Sequence, residues 1–339
     1  MTRSTSETEV SLTSVDSRYL LSVVVPLFNE AAVLPSLHRR LVGVLASQRV
    51  PYEIIFVDDG STDETVNFVK QLRLNDPHIG LVKLSRNFGK ELALSAGLQS
   101  AGGDCVVIID ADLQDPPELI PAMLNAWLEG ADVVNMRRRR RAGETWFKKF
   151  SAHAFYRLLN RISDVPIPED VGDFRLLSRR SVDALNALPE RNRYMKGLFA
   201  WVGFRQITIL YDREARAAGS GKQNYLKLWS LAAEGITSFS VTPLRIASLT
   251  GLLSAGGAFA MTLFYVLKTF VIGETVQGFP TLIVAVLLMG GLQLLGIGIL
   301  GEYLGRMFME TKRRPLYLIE EQIPSQAFEK PQAFKAFSR

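Results

Sequence analysis

The sequence predicts an α/β domain with a doubly wound parallel sheet, followed by a two-helix transmembrane hairpin. Between residues 20 and 109, short apolar runs alternate with helical patterns, which is typical of a parallel sheet covered by helices on both faces. Farther along, residues 246–267 and 279–301 contain no charged residue over 22 and 23 positions. A helix rises about 1.5 Å per residue, so each segment is long enough to cross a hydrocarbon core of roughly 30 Å.

Each predicted strand ends in polar residues. The strands cover residues 20–25, 53–57, 80–84 and 105–109, and the segments that follow them read PLFNE, DDGST, SRNFGK and DADLQDPP. Because the carboxyl ends of parallel strands meet at one edge of a sheet, where open α/β folds bind ligands, we expect these segments to converge.

Two pairs of acids in these segments indicate the chemistry. Asp110 and Asp112 are separated by one residue after a buried strand, so their carboxylates could turn oxygen ligands toward a common point. Such ligands suit Mg²⁺ or Mn²⁺ that enters the site bound to a diphosphate. Asp58 and Asp59 directly follow another predicted strand and precede the position at which the next helix needs a cap. Because capping does not account for them, they suggest hydrogen bonds to a nucleoside.

Several other classes of site are disfavoured. The sequence has neither a G-x-x-x-x-G-K-[ST] loop nor a G-x-G-x-x-G after the first strand, so a P-loop or dinucleotide site has no support. His38, His78 and His153 are far apart in the sequence, which argues against zinc chemistry. Cys105 is the single cysteine, so no intrachain disulfide can form, and its apolar strand predicts a packed thiol.

The formal net charge is +5, and residues 137–141 are consecutive arginines. Basic runs often bind nucleic acid, but this one precedes residues 146–162, which read as an amphipathic helix, in a chain with two predicted membrane spans. We therefore expect anionic lipid as the partner, and no nucleic acid. A helix that packs its apolar face on the domain core is the open alternative.

Basic residues flank both predicted spans on their outer sides, at Arg245 and at residues 306–314, so the positive-inside rule places both flanks in the cytoplasm. From the amino terminus, the predicted organisation is a flexible tail (1–18), a cytoplasmic α/β domain (19–224), an amphipathic juxtamembrane segment (225–242), the membrane hairpin (243–306) and a cytoplasmic tail (307–339).

Several motifs together resemble family 2 glycosyltransferases of GT-A fold, whose sheet is Rossmann-like. They are VVVPLFNE (23–30), FVDDGSTDET (56–65), LSRNFGKELAL (84–94), IIDADLQDPPE (108–118) and GDFRLLSRR (172–180). Over residues 20–315 the chain is similar to polyisoprenyl-phosphate glycosyltransferases akin to dolichol-phosphate mannose synthase. The two-helix tail and the FSVTPLR junction (239–245) narrow the resemblance to the GtrB-like bactoprenol glucosyltransferases of bacteria.

This resemblance implies a metal-dependent, inverting transfer of a hexose, glucose from UDP-glucose, to undecaprenyl phosphate or another polyprenyl phosphate. The enzyme would be an integral protein of the bacterial inner membrane with its catalytic domain and both termini in the cytoplasm. The resemblance also points to a homo-oligomer, and we expect a tetramer. Small-residue pairs at Gly256/Ala260 and Gly301/Gly305 would allow close packing of the membrane helices.

The resemblance also assigns roles to individual positions. The nucleoside would be held by Pro26, Phe28, Glu30, Asp58 and Asp59. The metal and diphosphate site would comprise Asp110, Asp112 and Gln114. The acceptor phosphate and the donor diphosphate would contact Arg137, Thr145, Arg175, Arg216 and Lys222. Asp173 would act as a base or orient Arg175.

Two other functions are weighed against this one. A processive polysaccharide synthase shares the catalytic core, but its Q-x-x-R-W motif is missing from this sequence. A membrane-anchored nucleotide-sugar sensor without catalysis gains some weight from Ala217, where the family has an aromatic residue, and from Gly221, where it has a hydroxyl residue. Gln223 also stands where an aromatic residue is usual.

Overall fold

The computed structural model describes residues 19–139, 171–191, 193, 195–212, 242–272 and 278–326. The strands are β1 (Leu21–Leu27), β2 (Tyr52–Asp58), β3 (Ile79–Leu84), β4 (Cys105–Ile108), β5 (Val133–Arg138), β6 (Val171–Ser178), β7 (Gln206–Tyr211) and β8 (Ile319–Ile323). The α-helices are α1 (Leu34–Ser47), α2 (Thr65–Asn75), α3 (Lys90–Ser100), α4 (Ile120–Leu128), α5 (Arg179–Ala187), α6 (Met195–Trp201), α7 (Thr242–Ile272) and α8 (Phe279–Thr311).

The described strands form one sheet in the order β7-β5-β6-β4-β1-β2-β3-β8. The centre is parallel, with β1 between β2 and β4 and with β3 beside β2. The predicted parallel sheet is wrong at two places: β6 runs antiparallel to both β4 and β5, and β8 runs antiparallel to β3. The fold is therefore a mixed α/β sheet, and the four strands predicted before residue 110 are confirmed.

Apolar clusters cover both faces of this sheet. On one face the buried leucines of α1, at positions 34, 37, 41 and 45, pack with residues of β1 and β2. Their spacing follows the helical repeat, so one stripe of α1 faces the sheet. On the other face α3 packs closely, because a Cβ on Gly97 would lie 2.9 Å from Val57 Cγ2. This close approach fixes the amino terminus of α3 beside the carboxyl edge of the sheet.

Strand β8 was not predicted, since residues 307–339 read as a tail. It covers the edge of β3, where an unpaired strand would expose its backbone hydrogen-bonding groups. Ser85 N donates to Leu318 O at 2.9 Å, and ion pairs join Lys83 to Glu320 at 2.8 Å and Lys70 to Glu321 at 2.6 Å. The sheet therefore includes strands that precede α7 and α8 in the sequence and one strand that follows them.

Helices α7 and α8 contain the two predicted membrane spans and extend beyond them at three of their four ends. By length and composition, one segment among the described residues, Leu288–Thr311, could cross a membrane. The apolar segment Ala247–Met261 in α7 is shorter. The span predicted over residues 246–267, and with it the hairpin, thus stays a prediction. The predicted amphipathic segments 146–162 and 225–239 lie outside the described residues.

Candidate active site

A cavity of about 560 Å³ opens at the carboxyl edge of β1, β2 and β4. The polar segments that follow these strands converge there, as predicted. Of the candidate site residues, those that line the cavity are Pro26, Phe28, Glu30, Asp59, Asp110 and Asp112. The wall thus combines an apolar side with carboxylates, which suits a ligand with an aromatic base at one end and a charged group at the other.

Asp58 and Asp59 shape the loops around the cavity. Asp58 is fully buried and accepts a hydrogen bond from Ser61 N, and burial raises the pKa of its carboxyl. Asp59 accepts from the backbone N–H groups of Phe88 at 2.7 Å and Gly89 at 2.9 Å. Gly60 has a φ of 72°, and a Cβ there would collide with the backbone at Asn87. The loop after β2 therefore fixes the position of the loop between β3 and α3.

Lys90, the first residue of α3, joins two of the candidate carboxylates. Its Nζ donates to Asp110 Oδ2 at 2.9 Å and to Asp173 Oδ2 at 2.5 Å. Burial opposes the charged ammonium, but the two carboxylates outweigh it and raise the pKa of Lys90 above its usual value. Although burial favours the neutral acid, Lys90 holds the pKa of Asp173 below its usual range. Lys90 and Asp173 are therefore both ionised near neutral pH.

The turn that carries Asp112 is backbone-strained. Leu113 adopts a φ of 59°, which is uncommon for a bulky residue, and its burial in the core offsets the cost. Gln114 N then donates to Asp112 Oδ1 at 3.2 Å. Gln114 does not line the cavity, so in this arrangement it orients Asp112 through its backbone.

Arg175 lies behind the cavity wall. It is 3% exposed, its guanidinium carbon is 3.7 Å from the centre of the Phe199 ring, and Nη2 donates to Gly172 O at 2.7 Å. Burial lowers the pKa of Arg175 to about 10, against the opposing charges of Asp173 and Glu91. Its charge reaches the site through Asp173 and not through direct exposure.

Comparison with known proteins decides the family. The Glycosyl transferase family 2 model matches residues 22–185. An uncharacterized glycosyltransferase of Synechocystis sp. is 49% identical over 89% of this chain and 95% of the relative. The chain belongs to glycosyl transferase family 2. The resemblance seen in the motifs is confirmed, and the mixed sheet agrees with a GT-A-like domain.

Other relatives of this family 2 glycosyltransferase have more specific names. The bactoprenol glucosyl transferase of Shigella phage SfV is 45% identical over 89% of this chain and 98% of the relative. Among solved structures, glucosyl-3-phosphoglycerate synthase from Mycobacterium tuberculosis is 21% identical, with a TM-score of 0.45 over 65% of this chain and 77% of that one.

Four candidate phosphate contacts of the glycosyltransferase remain to be placed. Arg137 is exposed on β5 and absent from the cavity wall. Thr145, Arg216 and Lys222 lie outside the described residues. Sequence reasoning missed Lys90 and its neighbour Glu91, although their position directly after Gly89, at the end of a predicted strand, was a usable signal.

The described carboxylates fit a divalent cation in part. No group of three or more His, Cys, Asp or Glu side chains among the described residues is placed to hold a metal ion. Asp110 and Asp112 nevertheless line the same cavity. The buried Oδ1 of Asp110 is 2.7 Å from Lys90 Nζ, yet no described group forms a well-directed hydrogen bond with it. These oxygen atoms are of the type that Mg²⁺ and Mn²⁺ prefer.

Glu91→Gln is expected to flatten the pH dependence of stability in this glycosyltransferase. Burial, with the charge of Asp173, raises the pKa of Glu91 to about 7, and its carboxylate accepts from Met195 N at 3.2 Å. An unfolded glutamate titrates near pH ~4.3. Between these two values the folded chain holds a proton that the unfolded chain has released. The free energy of unfolding therefore falls as pH rises through this window and levels off above it.

The loss across this window should be on the order of 2 kcal/mol in the wild type and much smaller in Glu91→Gln. Thermal unfolding in mild detergent at about pH 5 and about pH 8 measures it. Glu129→Gln, at an exposed carboxylate, is the matched control. Equal pH slopes in Glu91→Gln and wild type would contradict the assignment.

Proposed function

We propose that the chain transfers glucose from UDP-glucose to a polyprenyl phosphate such as bactoprenol phosphate, with inversion at the anomeric carbon. The observation that carries this proposal is the similarity, at 45% identity and almost full length on both sides, to proteins named bactoprenol glucosyl transferases. A cavity lined by Asp110, Asp112 and Lys90 at the ligand-binding edge of the sheet supports it.

The reaction needs no strong general base. A phosphate monoester has a second pKa of about 6, so the lipid phosphate is largely a dianion near neutral pH. One of its oxygens forms the new bond to the anomeric carbon. The bond from that carbon to the diphosphate oxygen breaks, and UDP leaves with the electron pair. Attack opposite the leaving group inverts the centre.

The charged residues of the chain would position the two anionic reactants. Asp110 and Asp112 would hold Mg²⁺ or Mn²⁺, with Gln114 orienting Asp112. A bound divalent cation would offset the charge that develops on the departing diphosphate. Arg137, Thr145, Arg216 and Lys222 would complete the phosphate contacts, because fixed cations must offset the repulsion between donor and acceptor.

Asp173 and Arg175 would act from behind the wall. Asp173 is ionised and holds Lys90, and Arg175 supports Asp173 electrostatically. The nucleoside would lie toward the apolar part of the cavity, against Pro26 and the 46% exposed Phe28. Aromatic and proline surfaces of this kind favour stacking with a planar base.

The membrane arrangement belongs to the same proposal. Helices α7 and α8 would form a hairpin in the bacterial inner membrane, with the catalytic domain and both termini in the cytoplasm. Both helices expose large apolar side chains over most of their length, which suits lipid contact. A membrane-bound acceptor would then approach the cavity from the bilayer surface.

A lipid-labelling assay tests the function. Membranes containing the protein are mixed with labelled UDP-glucose, polyprenyl phosphate and Mg²⁺ or Mn²⁺, and the label is followed into the lipid phase. We expect one labelled glucose per lipid phosphate. UDP binding without lipid labelling would favour the sensor, and a labelled polymer would favour a processive synthase.

Gly256→Leu together with Gly301→Leu is expected to break a homo-tetramer into smaller species. A Cβ at Gly256 or Gly301 would meet nothing within 4 Å among the described residues. The other long helix of the same chain therefore does not pack closely on either glycine. Small residues let helices approach closely in lipid, and leucine would prevent this.

Native mass spectrometry in mild detergent measures the assembly. Gly251→Leu is the matched control, since it also faces open space but lies outside the two small-residue pairs. An unchanged tetramer in the double variant, or a fully active wild-type monomer, would refute this mode of assembly.

A further inference from the structure

The charge on the cavity wall is unbalanced for a ligand that carries a diphosphate. Four of its lining residues are acids: Glu30, Asp59, Asp110 and Asp112. Among the described residues that line the cavity, Lys90 has the one positively charged side chain. A diphosphate that enters must find cations to offset these carboxylates, so the position of Lys90 bears directly on donor binding.

Lys90 is held between two carboxylates that lie on different strands. Asp110 follows β4 and Asp173 lies in β6, and the ammonium donates to both. The Oδ1 atoms of Asp110 and Asp173 are buried, and neither forms a hydrogen bond within the described residues. Asp110 Oδ1 lies 2.7 Å from the ammonium in an ion pair but accepts no well-directed hydrogen bond from it, so both carboxylates keep lone pairs that the ammonium does not fill. A second cation could take it.

The lysine side chain is also accessible from the cavity. It remains 43% exposed although its ammonium touches both carboxylates, so its stem borders the open cavity. An ammonium on a flexible four-carbon stem can exchange partners without moving the backbone. Lys90 also begins the eleven-residue helix α3, whose amino-terminal dipole favours an anion at this place.

We propose that Lys90 is a diphosphate-binding residue that pairs with Asp110 and Asp173 until donor and metal arrive, and then exchanges Asp110 for a phosphate oxygen of the donor. This inference rests on the proposed function. A divalent cation on Asp110 would repel the neighbouring ammonium, and the entering diphosphate would accept it. Asp173 would keep one contact with Lys90 and limit how far the ammonium moves.

The test measures binding in the full-length protein and not turnover. UDP affinity in saturating Mn²⁺ is measured by calorimetry, and affinity for Mn²⁺ alone is measured from the electron paramagnetic resonance of the free ion. In Lys90→Met, UDP should bind about ten- to a hundredfold more weakly, which is the loss of one charge-assisted hydrogen bond. Mn²⁺ alone should bind several-fold more tightly, because no ammonium competes for Asp110.

Two further variants keep the result interpretable. Lys83→Met removes a lysine that pairs with Glu320 away from the cavity, and it should change neither affinity. Lys90→Met combined with Asp173→Asn removes one carboxylate as well as the cation, so it folds without the repulsion between Asp110 and Asp173. The weakened UDP binding should persist in this double variant.

The outcomes separate the two proposals. Unchanged UDP affinity in both Lys90 variants, with normal binding by the wild type, would overturn the role of Lys90 alone. Weakened UDP binding with unchanged affinity for Mn²⁺ alone would overturn the exchange at Asp110. A wild type that fails to bind UDP with Mn²⁺ would overturn the proposed function itself.

Discussion

Asp112→Asn is expected to abolish glucose transfer while leaving the fold intact. Asn keeps the oxygen that accepts from Gln114 N at 3.2 Å, so the turn with its strained Leu113 is preserved. What is lost is one negative charge on the cavity wall. A hard cation depends on carboxylate charge. Mutation of a residue that only supports a metal ligand costs about ten- to a hundredfold in metal affinity or activity, so the loss of a direct ligand should lower activity by more than a hundredfold.

Label transfer to lipid and UDP binding with and without chelator measure this effect. In the wild type UDP binding should weaken when metal is removed, whereas in Asp112→Asn it should be weak under both conditions. Asp183→Asn serves as a control, since that carboxylate is exposed on α5 and pairs with Arg179 in its own helix. Wild-type turnover in Asp112→Asn would be incompatible with the proposed metal role.

Asp59→Asn is expected to weaken UDP binding by about a hundredfold and to lower thermal stability. Each carboxylate oxygen of Asp59 accepts one backbone N–H, and the residue is only 4% exposed. An amide has one oxygen, so its NH₂ group would face the other N–H donor. Hydrogen bonds to a charged group contribute about 1.5–3 kcal/mol each, and both are disturbed. The loop before α3 would move, and Lys90 with it.

Calorimetry of UDP binding and a thermal unfolding curve check this prediction. Asp212→Asn, at a side chain 74% exposed, should leave both measurements unchanged. If Asp59→Asn lost UDP affinity but kept wild-type stability, Asp59 would contact the nucleotide directly instead of holding the loop.

The carboxyl-edge residues of the site could be predicted from the sequence because strand ends obey a simple geometric rule. Asp59, Asp110 and Asp112 follow apolar runs, and parallel pairing brings them to one cavity whatever the detailed packing. The local pattern was sufficient there.

The contacts behind the cavity wall could not be predicted, because they depend on pairings between distant segments. Arg175 was expected at a phosphate, but the antiparallel insertion of β6 between β4 and β5 places it against Phe199. Lys90 acquires its role only when β6 brings Asp173 to it. Strand β8 was missed because its sequence, IEEQI, is mostly polar, as edge strands often are.

The late position of β8 in the chain has a consequence for biosynthesis. Lys83 and Glu320, which join β3 to β8, are 237 residues apart in sequence. During translation the edge of β3 therefore stays unpaired until the rest of the domain and both long helices have been synthesised. Long-range strand pairing is slow, and an open edge invites aggregation. The last strand thus acts as a closing step, which completes the sheet only after α7 and α8 have left the ribosome.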